Sequence, residues 1–208
     1  AGVIELAHYF SDAVKSKKIK LRKNLTFAIW SAEEIGILGS KEFLDSFKQK
    51  YRKTYPKIST YINMDMIGRL RKNLIVQGLG SSPQWRPLVE QVALKHSLSI
   101  IGQDDPYVPT DGMSFYLAGI PTLNFFTGAH SEYHTPRDTA ETLNYQGAEQ
   151  VINFIRDTTS KIAASRARPE YIKIERASKG SRRGGFRIYL GTIPNYGNDK
   201  VKGVSLSG

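Results

Sequence analysis

Cysteine is absent from the 208 residues, which excludes disulfide bonds and zinc sites built from thiolates. A long hydrophobic run is also lacking: the longest predominantly apolar stretch is roughly residues 25–30, far below the ~20 residues of a membrane-spanning helix. The first residues, AGVIE, contain no basic segment leading into an apolar core, so they do not have the form of a signal peptide. Because the first residue is Ala1 and not Met, we expect the chain to begin inside a longer protein.

Acidic residues are in the minority, with 19 Asp and Glu against 30 Lys and Arg, a formal net charge of +11. The excess is concentrated at the C-terminal end, where residues 166–208 carry 10 basic and 3 acidic residues. Residues 1–165 carry 20 and 16, a net charge of only +4. Their largest basic run, residues 15–23, has no aromatic residues between its charges, as a groove for single-stranded nucleic acid requires. We therefore expect no nucleic-acid partner.

Segments with helical periodicity alternate with short apolar, β-prone segments along residues 1–165. The helical pattern covers residues 2–15, 40–51, 82–96 and 144–164, with a small helix ending at Gly119. The strand pattern covers residues 24–30, 58–67, 73–77, 98–101 and 121–126. In the first helix the apolar positions are Val3, Ile4, Ala7, Phe10 and Val14. Such alternation predicts an α/β fold with a mixed, largely parallel sheet sandwiched by helices.

The composition changes near residue 166, which predicts a domain boundary there. Residues 178–185 are basic and rich in turn-forming residues, and residues 186–191 and 201–206 have the pattern of two short strands. The last ~40 residues are too few to bury a hydrophobic core by themselves. We therefore expect one domain over residues 1–165, followed by a linker and an incomplete β-rich domain over residues 166–208.

Two adjacent carboxylates stand where a predicted strand ends and a glycine-containing loop begins, in the sequence SAEEIGILGS at residues 31–40. Sites in open α/β sheets form at the carboxyl ends of strands, so Glu33 and Glu34 are candidates for metal binding and for acid–base chemistry. The alternative is that the two carboxylates only interact favourably with the dipole of the following helix.

Two further segments place candidate metal ligands after predicted strands. Asp65 lies in INMDMIGR at residues 62–69, and a buried Asp is costly unless it is paired or bound to a metal; the alternative is a salt bridge to Arg69 or Arg71. His134 lies in EYHTPRDT at residues 132–139, where the alternative is a surface histidine. Histidine and carboxylates from separate strand ends form a donor set that is typical of catalytic zinc.

Taken together, the three segments resemble those of the dinuclear-zinc aminopeptidases, which are leucyl-type metallo-exopeptidases of the zinc-exopeptidase fold. That family has a Glu-Glu pair before a Gly-Leu-Leu-Gly-Ser-like stretch, an Asn-Met-Asp strand and a His-Thr-Pro-x-Asp-Thr loop. The resemblance covers residues 1 to about 165. It implies a phosphorylase/hydrolase-like fold, a peptide substrate and a periplasmic or extracellular location. Residues 185–194 and 201–208 resemble the start of the PDZ-like domain that follows some of these peptidases.

The resemblance also implies a role for each matching residue. Glu33 corresponds to the general base, and Glu34 and His134 to ligands of one zinc ion. Asp65 corresponds to a ligand of the second zinc ion. Tyr133 corresponds to a hydroxyl that polarises the substrate carbonyl. Asp111 corresponds to a carboxylate near the site that orients the metal ligands without binding the metal itself.

The sequence departs from the family pattern at its start, where the family needs an upstream His and an Asp that bridges the two zinc ions. His8 lies in the first predicted helix, and His96 and His130 follow the Glu-Glu pair, so none of them stands at the required place. We expect the missing ligands upstream of residue 1. The chain alone is then expected to hold an incomplete zinc site or none, to have little activity, and to self-associate through uncovered apolar surface.

Other functions remain open at this point. Glutaminyl cyclases, which are single-zinc acyl transferases, use a related Glu-Glu pair, and zinc carboxypeptidases form another branch of the same fold. A non-catalytic homologue could capture peptide termini by strand addition. No motif in the sequence indicates which substrate side chain is preferred.

Overall fold

The computed structural model describes residues 1–51 and 58–175, together with the backbone of two short strands near the C-terminus. Its helices are α1 Gly2–Lys15, α2 Leu38–Lys50, α3 Trp85–Ala93, α4 Asp111–Leu117 and α5 Tyr145–Ala164, with single 3-10 turns at Leu79–Ser81 and Ala140–Thr142. The strands are β1 Tyr61–Met64, β2 Asn73–Gln77, β3 Ser99–Gly102, β4 Thr122–Phe126, β5 Ile193–Pro194 and β6 Leu206–Ser207.

Four strands form one mixed sheet in the order β1-β4-β2-β3. The pairs β1–β4 and β2–β3 are parallel, whereas β2 and β4 are antiparallel. The predicted α/β fold with a mixed sheet and flanking helices is therefore confirmed. Strands β5 and β6 pair separately as a two-stranded antiparallel ladder.

Helices cover both faces of the four-stranded sheet, because alternate residues of each strand point to opposite sides. Leu123 and Phe125 of β4 point into a large hydrophobic cluster that also contains buried residues of α1, α3 and α5. Tyr61 of β1 points to the other side, where α2 and α4 form a smaller cluster around Phe115. The second face carries the candidate site.

A chain of side-chain hydrogen bonds runs across this second face of the sheet. Asn63 Nδ2 donates to Asn124 Oδ1 at 2.9 Å, Asn124 Nδ2 to Gln77 Oε1 at 2.6 Å, and Gln77 Nε2 to Gln103 Oε1 at 2.9 Å. Asn63 pairs with Asn124 and Asn124 with Gln77 in the backbone register of the strands. We call these four residues the amide ladder. It provides buried polar side chains with partners inside the protein, as they require.

The helices predicted at residues 2–15 and 144–164 are confirmed, but the buried residues of α1 are only partly those predicted. Helix α5 begins after Asn144, whose side chain accepts a hydrogen bond from the Gly147 N–H and so caps the helix. Helix α1 has the predicted bounds, but it buries Leu6, Phe10 and Ala13. Ile4, which belongs to the predicted apolar face, is 49% exposed.

The strand predicted at residues 24–30 is wrong, because these residues have no strand assignment in the structure. A strand needs hydrogen-bonded neighbours, and none of the described strands pairs with this segment. The segment instead lies near the β1 edge through side chains, since Trp30 Nε1 donates to the Tyr61 hydroxyl at 2.9 Å. Phe27 and Ile29 are consequently 38% and 77% exposed.

Two other elements differ from their predicted bounds. The strand predicted at residues 58–67 is limited to Tyr61–Met64. The helix predicted from residue 82 begins at Trp85, which places Pro87 in its first turn. A proline fits there because the N–H it lacks has no intrahelical partner in the first turn, whereas it would interrupt the interior of a longer helix.

After α5 the chain continues along the body of the domain as far as residue 175. Ile172 N–H donates to the Ser81 carbonyl at 2.9 Å, and Ile174 N–H to the Tyr116 hydroxyl at 2.6 Å. The strands predicted at residues 186–191 and 201–206, and the basic stretch at 178–185, fall outside the described residues apart from Leu206. No helix in the described part of the chain is long and apolar enough to cross a membrane.

Candidate active site

Glu33 and Glu34 lie in a tight turn that precedes α2. The Glu33 carbonyl accepts hydrogen bonds from the N–H groups of Gly36 and Ile37, at 3.0 and 2.8 Å. Gly39 approaches the backbone so closely that a Cβ there would lie 2.5 Å from the Ser31 carbonyl oxygen, so only glycine fits. Because the first turn of α2 contains no acidic residue, interaction with the helix dipole does not account for the two carboxylates.

Left-handed backbone conformations of non-glycine residues cluster around the three motif segments. Among the described residues they occur at Lys17, Ala32, Ile37, Met66 and His134. Ala32 and Ile37 flank the Glu-Glu pair, Met66 follows Asp65, and His134 is itself a candidate ligand. A β-branched residue such as Ile37 rarely adopts this conformation, with φ at 59°. Strain of this kind is often found at functional sites.

Several of these side chains line a cleft of about 160 Å³ on the amide-ladder face of the sheet. Asp65 enters it directly after β1, and Asp111 enters it as the first residue of α4. Asp111 is only 9% exposed, and its Oδ1 has no hydrogen-bond partner within the described residues. The lining residues are Glu33, Asn63, Met64, Asp65, Thr110 and Asp111. A cleft with an unsatisfied carboxylate oxygen is suited to a cationic group.

Burial raises the pKa of each of the three cleft carboxyl groups, and neighbouring carboxylates raise the pKa of two of them further. Burial raises the pKa of Glu33, and the charges of Glu34, Asp65 and Asp111 raise it further, opposed by His134. Burial followed by the charges of Glu34 and Asp111 raises the pKa of Asp65. For Asp111 burial also raises the pKa, and the Ser40 hydroxyl partly opposes it. In the absence of a cation, burial and the nearby negative charges therefore make the charged form of these carboxyl groups less favourable than it is in water.

His134 and Glu34 form the second part of the site. The Nε2 atom of His134 lies 2.8 Å from Oε1 of Glu34, although the motifs that contain them are 100 residues apart. Both side chains are accessible, at 49% and 65% exposure. The Tyr133 ring stacks on the His134 imidazole, with ring centroids 3.8 Å apart. The structure thus brings His134 into direct contact with both Glu34 and Tyr133.

In kind, these donors fit zinc, because carboxylate oxygens and an imidazole nitrogen are among its common ligands. The number of donors that lie close together is smaller than a zinc ion normally needs. Within residues 1–51 and 58–175, no three His, Asp or Glu side chains are placed closely enough to hold one metal ion. Glu34 and His134 can therefore supply two ligands to one ion, and Asp65 is not close enough to bind the same ion as a third ligand.

Some residues of the site were not found from the sequence. Asn63 and Thr110 line the cleft, and only their closeness in the sequence to Asp65 and Asp111 could have indicated this. Arg69, considered as a partner of Asp65, pairs instead with Asp138 at 2.8 Å and with Glu132 at 3.6 Å. Arg69 therefore does not form the salt bridge with Asp65 that was considered as the alternative to metal binding.

The raised carboxyl pKa values predict a pH-dependent stability of the metal-free chain. A carboxyl whose pKa is raised by folding stabilises the fold at low pH, and this contribution is lost as the pH rises through the folded-state value. Asp65→Asn removes one such group and is expected to raise the free energy of unfolding by roughly 0.5–2 kcal/mol at pH 7. The gain should shrink towards pH 4. Denaturant unfolding from pH 4 to pH 8 measures it.

The control is Asp12→Asn on the exposed side of α1, which should change stability by less than ~0.5 kcal/mol throughout. A gain from Asp65→Asn that is the same at pH 4 and pH 7 would contradict the electrostatic explanation.

Comparison with known proteins gives a consistent picture. The sequence profile of peptidase family M28 matches residues 1–159. Aminopeptidase YwaD of Bacillus subtilis strain 168 is 26% identical over 180 residues, which cover 79% of this chain and 38% of that protein.

Solved structures agree on the fold. BSAP, a zinc aminopeptidase from Bacillus subtilis, superposes with a TM-score of 0.65 at 23% identity, over 84% of this chain and 43% of that one. The aminopeptidase from Aneurinibacillus sp. strain AM-1 gives 0.60 at 27% identity, over 84% and 40%. The chain thus spans less than half the length of each of these proteins.

Proposed function

The chain belongs to peptidase family M28, and from this membership and the site geometry we propose that it is the C-terminal, zinc-binding part of an aminopeptidase catalytic domain. The observation that carries the proposal is the contact between Glu34 and His134 beside a cleft lined by Glu33, Asp65 and Asp111. Aminopeptidases among its relatives support the same reaction class.

In this proposal Glu33 is the general base. It lines the cleft, and burial together with neighbouring carboxylates raises its pKa, which strengthens it as a proton acceptor. Glu33 would take a proton from the attacking water and later deliver it to the departing amine. Bound zinc, which the family implies, would polarise the scissile carbonyl and lower the pKa of the water.

The other residues would bind and orient the substrate and the metal. Glu34 and His134 would hold one zinc ion, and Asp65 would contribute to the second. Tyr133, whose ring stacks on His134, would donate a hydrogen bond from its hydroxyl to the substrate carbonyl as negative charge develops there. Asp111 keeps the cleft negative, which favours the ammonium group of a peptide N-terminus. The substrate is therefore a peptide that is cleaved from its N-terminal end.

We further propose that the chain acts as part of a larger polypeptide and has little activity alone. Catalytic zinc normally has three protein ligands, and the described residues bring only Glu34 and His134 together. Residues 166–208 are proposed to be a linker and the start of a PDZ-like domain, and the periplasmic or extracellular location stays a prediction.

The test is to load the 208-residue chain with zinc, remove weakly bound ions and measure the metal by mass spectrometry. We expect well below two zinc ions per chain and little hydrolysis of aminoacyl-anilides, because too few ligands converge. Sedimentation at several concentrations should show self-association, since the apolar side chains of Phe27 and Ile29 are 38% and 77% exposed.

The substrate class is tested on the complete enzyme with three substrates: aminoacyl-anilides, peptides with N-terminal glutamine, and peptides ending in glutamate. Preference for the anilides supports an aminopeptidase. Cyclisation of N-terminal glutamine indicates a glutaminyl cyclase, and release of the terminal glutamate a carboxypeptidase. Two tightly bound zinc ions and full activity in the 208-residue chain would contradict the proposal that it lacks ligands.

A further inference from the structure

Arg69 connects the segment that follows β1 with the segment that follows β4. Its N–H donates to Thr127 Oγ1 at 3.2 Å, immediately after β4. Its guanidinium reaches further along the same loop, with Nη2 2.8 Å from Asp138 Oδ1 and Nη1 3.6 Å from Glu132 Oε2. The Arg69 side chain is only 15% exposed. Arg69 is four residues after Asp65, so one residue joins the two segments that carry Asp65 and His134.

The two carboxylates bound by Arg69 stand on either side of His134 in the sequence. Between them the backbone folds back on itself: Thr135 N–H donates to the Glu132 carbonyl at 3.0 Å, and Asp138 N–H to the Thr135 carbonyl at 3.1 Å. We call residues 130–138 the His134 turn. It holds His134 at a φ of 55°, and such a conformation persists only when the surrounding contacts impose it.

A buried histidine reinforces the same group of contacts. The His130 side chain is 4% exposed; its Nδ1 lies 3.4 Å from Glu132 Oε2 and its Nε2 3.6 Å from Asp138 Oδ2. Glu132 and Asp138, which are 29% and 34% exposed, thus face two more deeply buried side chains, those of Arg69 and His130. Several charges that form a network contribute more to structure than an isolated exposed pair does.

The planar guanidinium is suited to this arrangement. Its two terminal nitrogens reach two different carboxylates at the same time, whereas a lysine ammonium is a single point charge. Removing Arg69 would leave Glu132 and Asp138 without the cation that draws the two ends of the His134 turn together.

We propose that Arg69 is a positioning residue, which closes the His134 turn and thereby holds the imidazole of His134 against Glu34. Its importance for catalysis rests on the proposed function, in which His134 is a zinc ligand. The closure itself is a property of the metal-free chain and is tested there.

The experiment compares Arg69→Met with the unchanged 208-residue chain by amide hydrogen exchange and NMR, without metal. Protection of the Thr135 and Asp138 amides should fall by about tenfold, because the turn opens more often. The His134 Hε1 resonance should shift towards its value in an unfolded peptide as the Tyr133 ring leaves it. Amides of β2 and α5 should keep their protection, which shows that the domain remains folded.

Two further variants make the test specific. Arg69→Lys keeps the charge but loses the two-carboxylate geometry, and it should restore less than half of the lost protection. Arg86→Met breaks an exposed pair with Asp104, at 2.7 Å, and should leave the His134 turn unchanged. Unchanged protection and an unchanged His134 resonance in Arg69→Met would overturn the proposal. Full restoration by Arg69→Lys would overturn it as well, because only the charge would then matter.

The outcome is separable from that of the proposed function. If the exchange results are as expected but the complete enzyme does not bind zinc through His134, the proposed function fails while the role of Arg69 in the turn stands. If His134 binds zinc and Arg69→Met leaves the turn closed, only the present inference fails.

Discussion

Replacing Glu33 by Gln in the complete enzyme is expected to lower the turnover number by ~10²–10⁴-fold while the zinc content stays unchanged. Glutamine has nearly the same shape as glutamate but cannot accept the proton of the attacking water. Glu33 lines the cleft, whereas Glu34 contacts His134, so the two adjacent carboxylates separate into different surroundings. The measurements are the turnover of an aminoacyl-anilide and the zinc content of the same preparation.

Glu42→Gln is the matched control, because Glu42 is an exposed residue of α2, where it accepts a hydrogen bond from Ser46 at 3.0 Å. It should retain full activity. A Glu33→Gln variant that has lost its zinc would mean that Glu33 is a ligand and that its role and that of Glu34 are exchanged.

Removal of either residue of the Glu34–His134 pair is expected to deplete the complete enzyme of zinc. Loss of a residue that only supports a ligand typically costs 10–100-fold in metal affinity, so the loss of a ligand itself should cost more than ~100-fold. Glu34→Ala and His134→Ala should therefore both be inactive and low in metal. Competition with a zinc chelator of known affinity measures the change.

His8→Ala, an exposed residue of α1, is the control for His134→Ala, and Glu42→Ala is the control for Glu34→Ala. Both should bind zinc normally. If both single variants, Glu34→Ala and His134→Ala, kept full zinc affinity, the 2.8 Å contact between the two residues would be an ordinary surface ion pair and the metal would bind elsewhere.

The parts of the fold that could be predicted from the sequence are those determined by local patterns. Helices α1 and α5 have apolar residues at helical spacing, and β2 is a short apolar run bounded by polar residues. The segments that carry Glu33, Asp65 and His134 were found because each places an acid or an imidazole after a predicted strand, although the strand predicted before Glu33 does not form. Their actual proximity depends on the sheet order, which no local pattern specifies.

What could not be predicted depends on partners that are distant in the sequence. Residues 24–30 have the composition of a strand, but a strand forms only where another strand offers its N–H and C=O groups. The choice of Asp138 over Asp65 as the partner of Arg69 has the same cause, because Asp138 is 69 residues away and Asp65 only four. Charge alone favours neither partner.

The amide ladder also limits how the chain can misfold. Asn63 and Asn124 are 61 residues apart in the sequence, so no local contact fixes the alignment of β1 with β4. If β4 slipped by one residue relative to its neighbours, Asn124 would turn towards the hydrophobic side of the sheet that contains Phe154, and its amide would lose its partners. An unsatisfied buried group costs about 1–3 kcal/mol, and several amides would be affected at once. The ladder therefore helps to specify the register of the sheet, because this alignment of β1, β4 and β2 gives every amide of the ladder a partner.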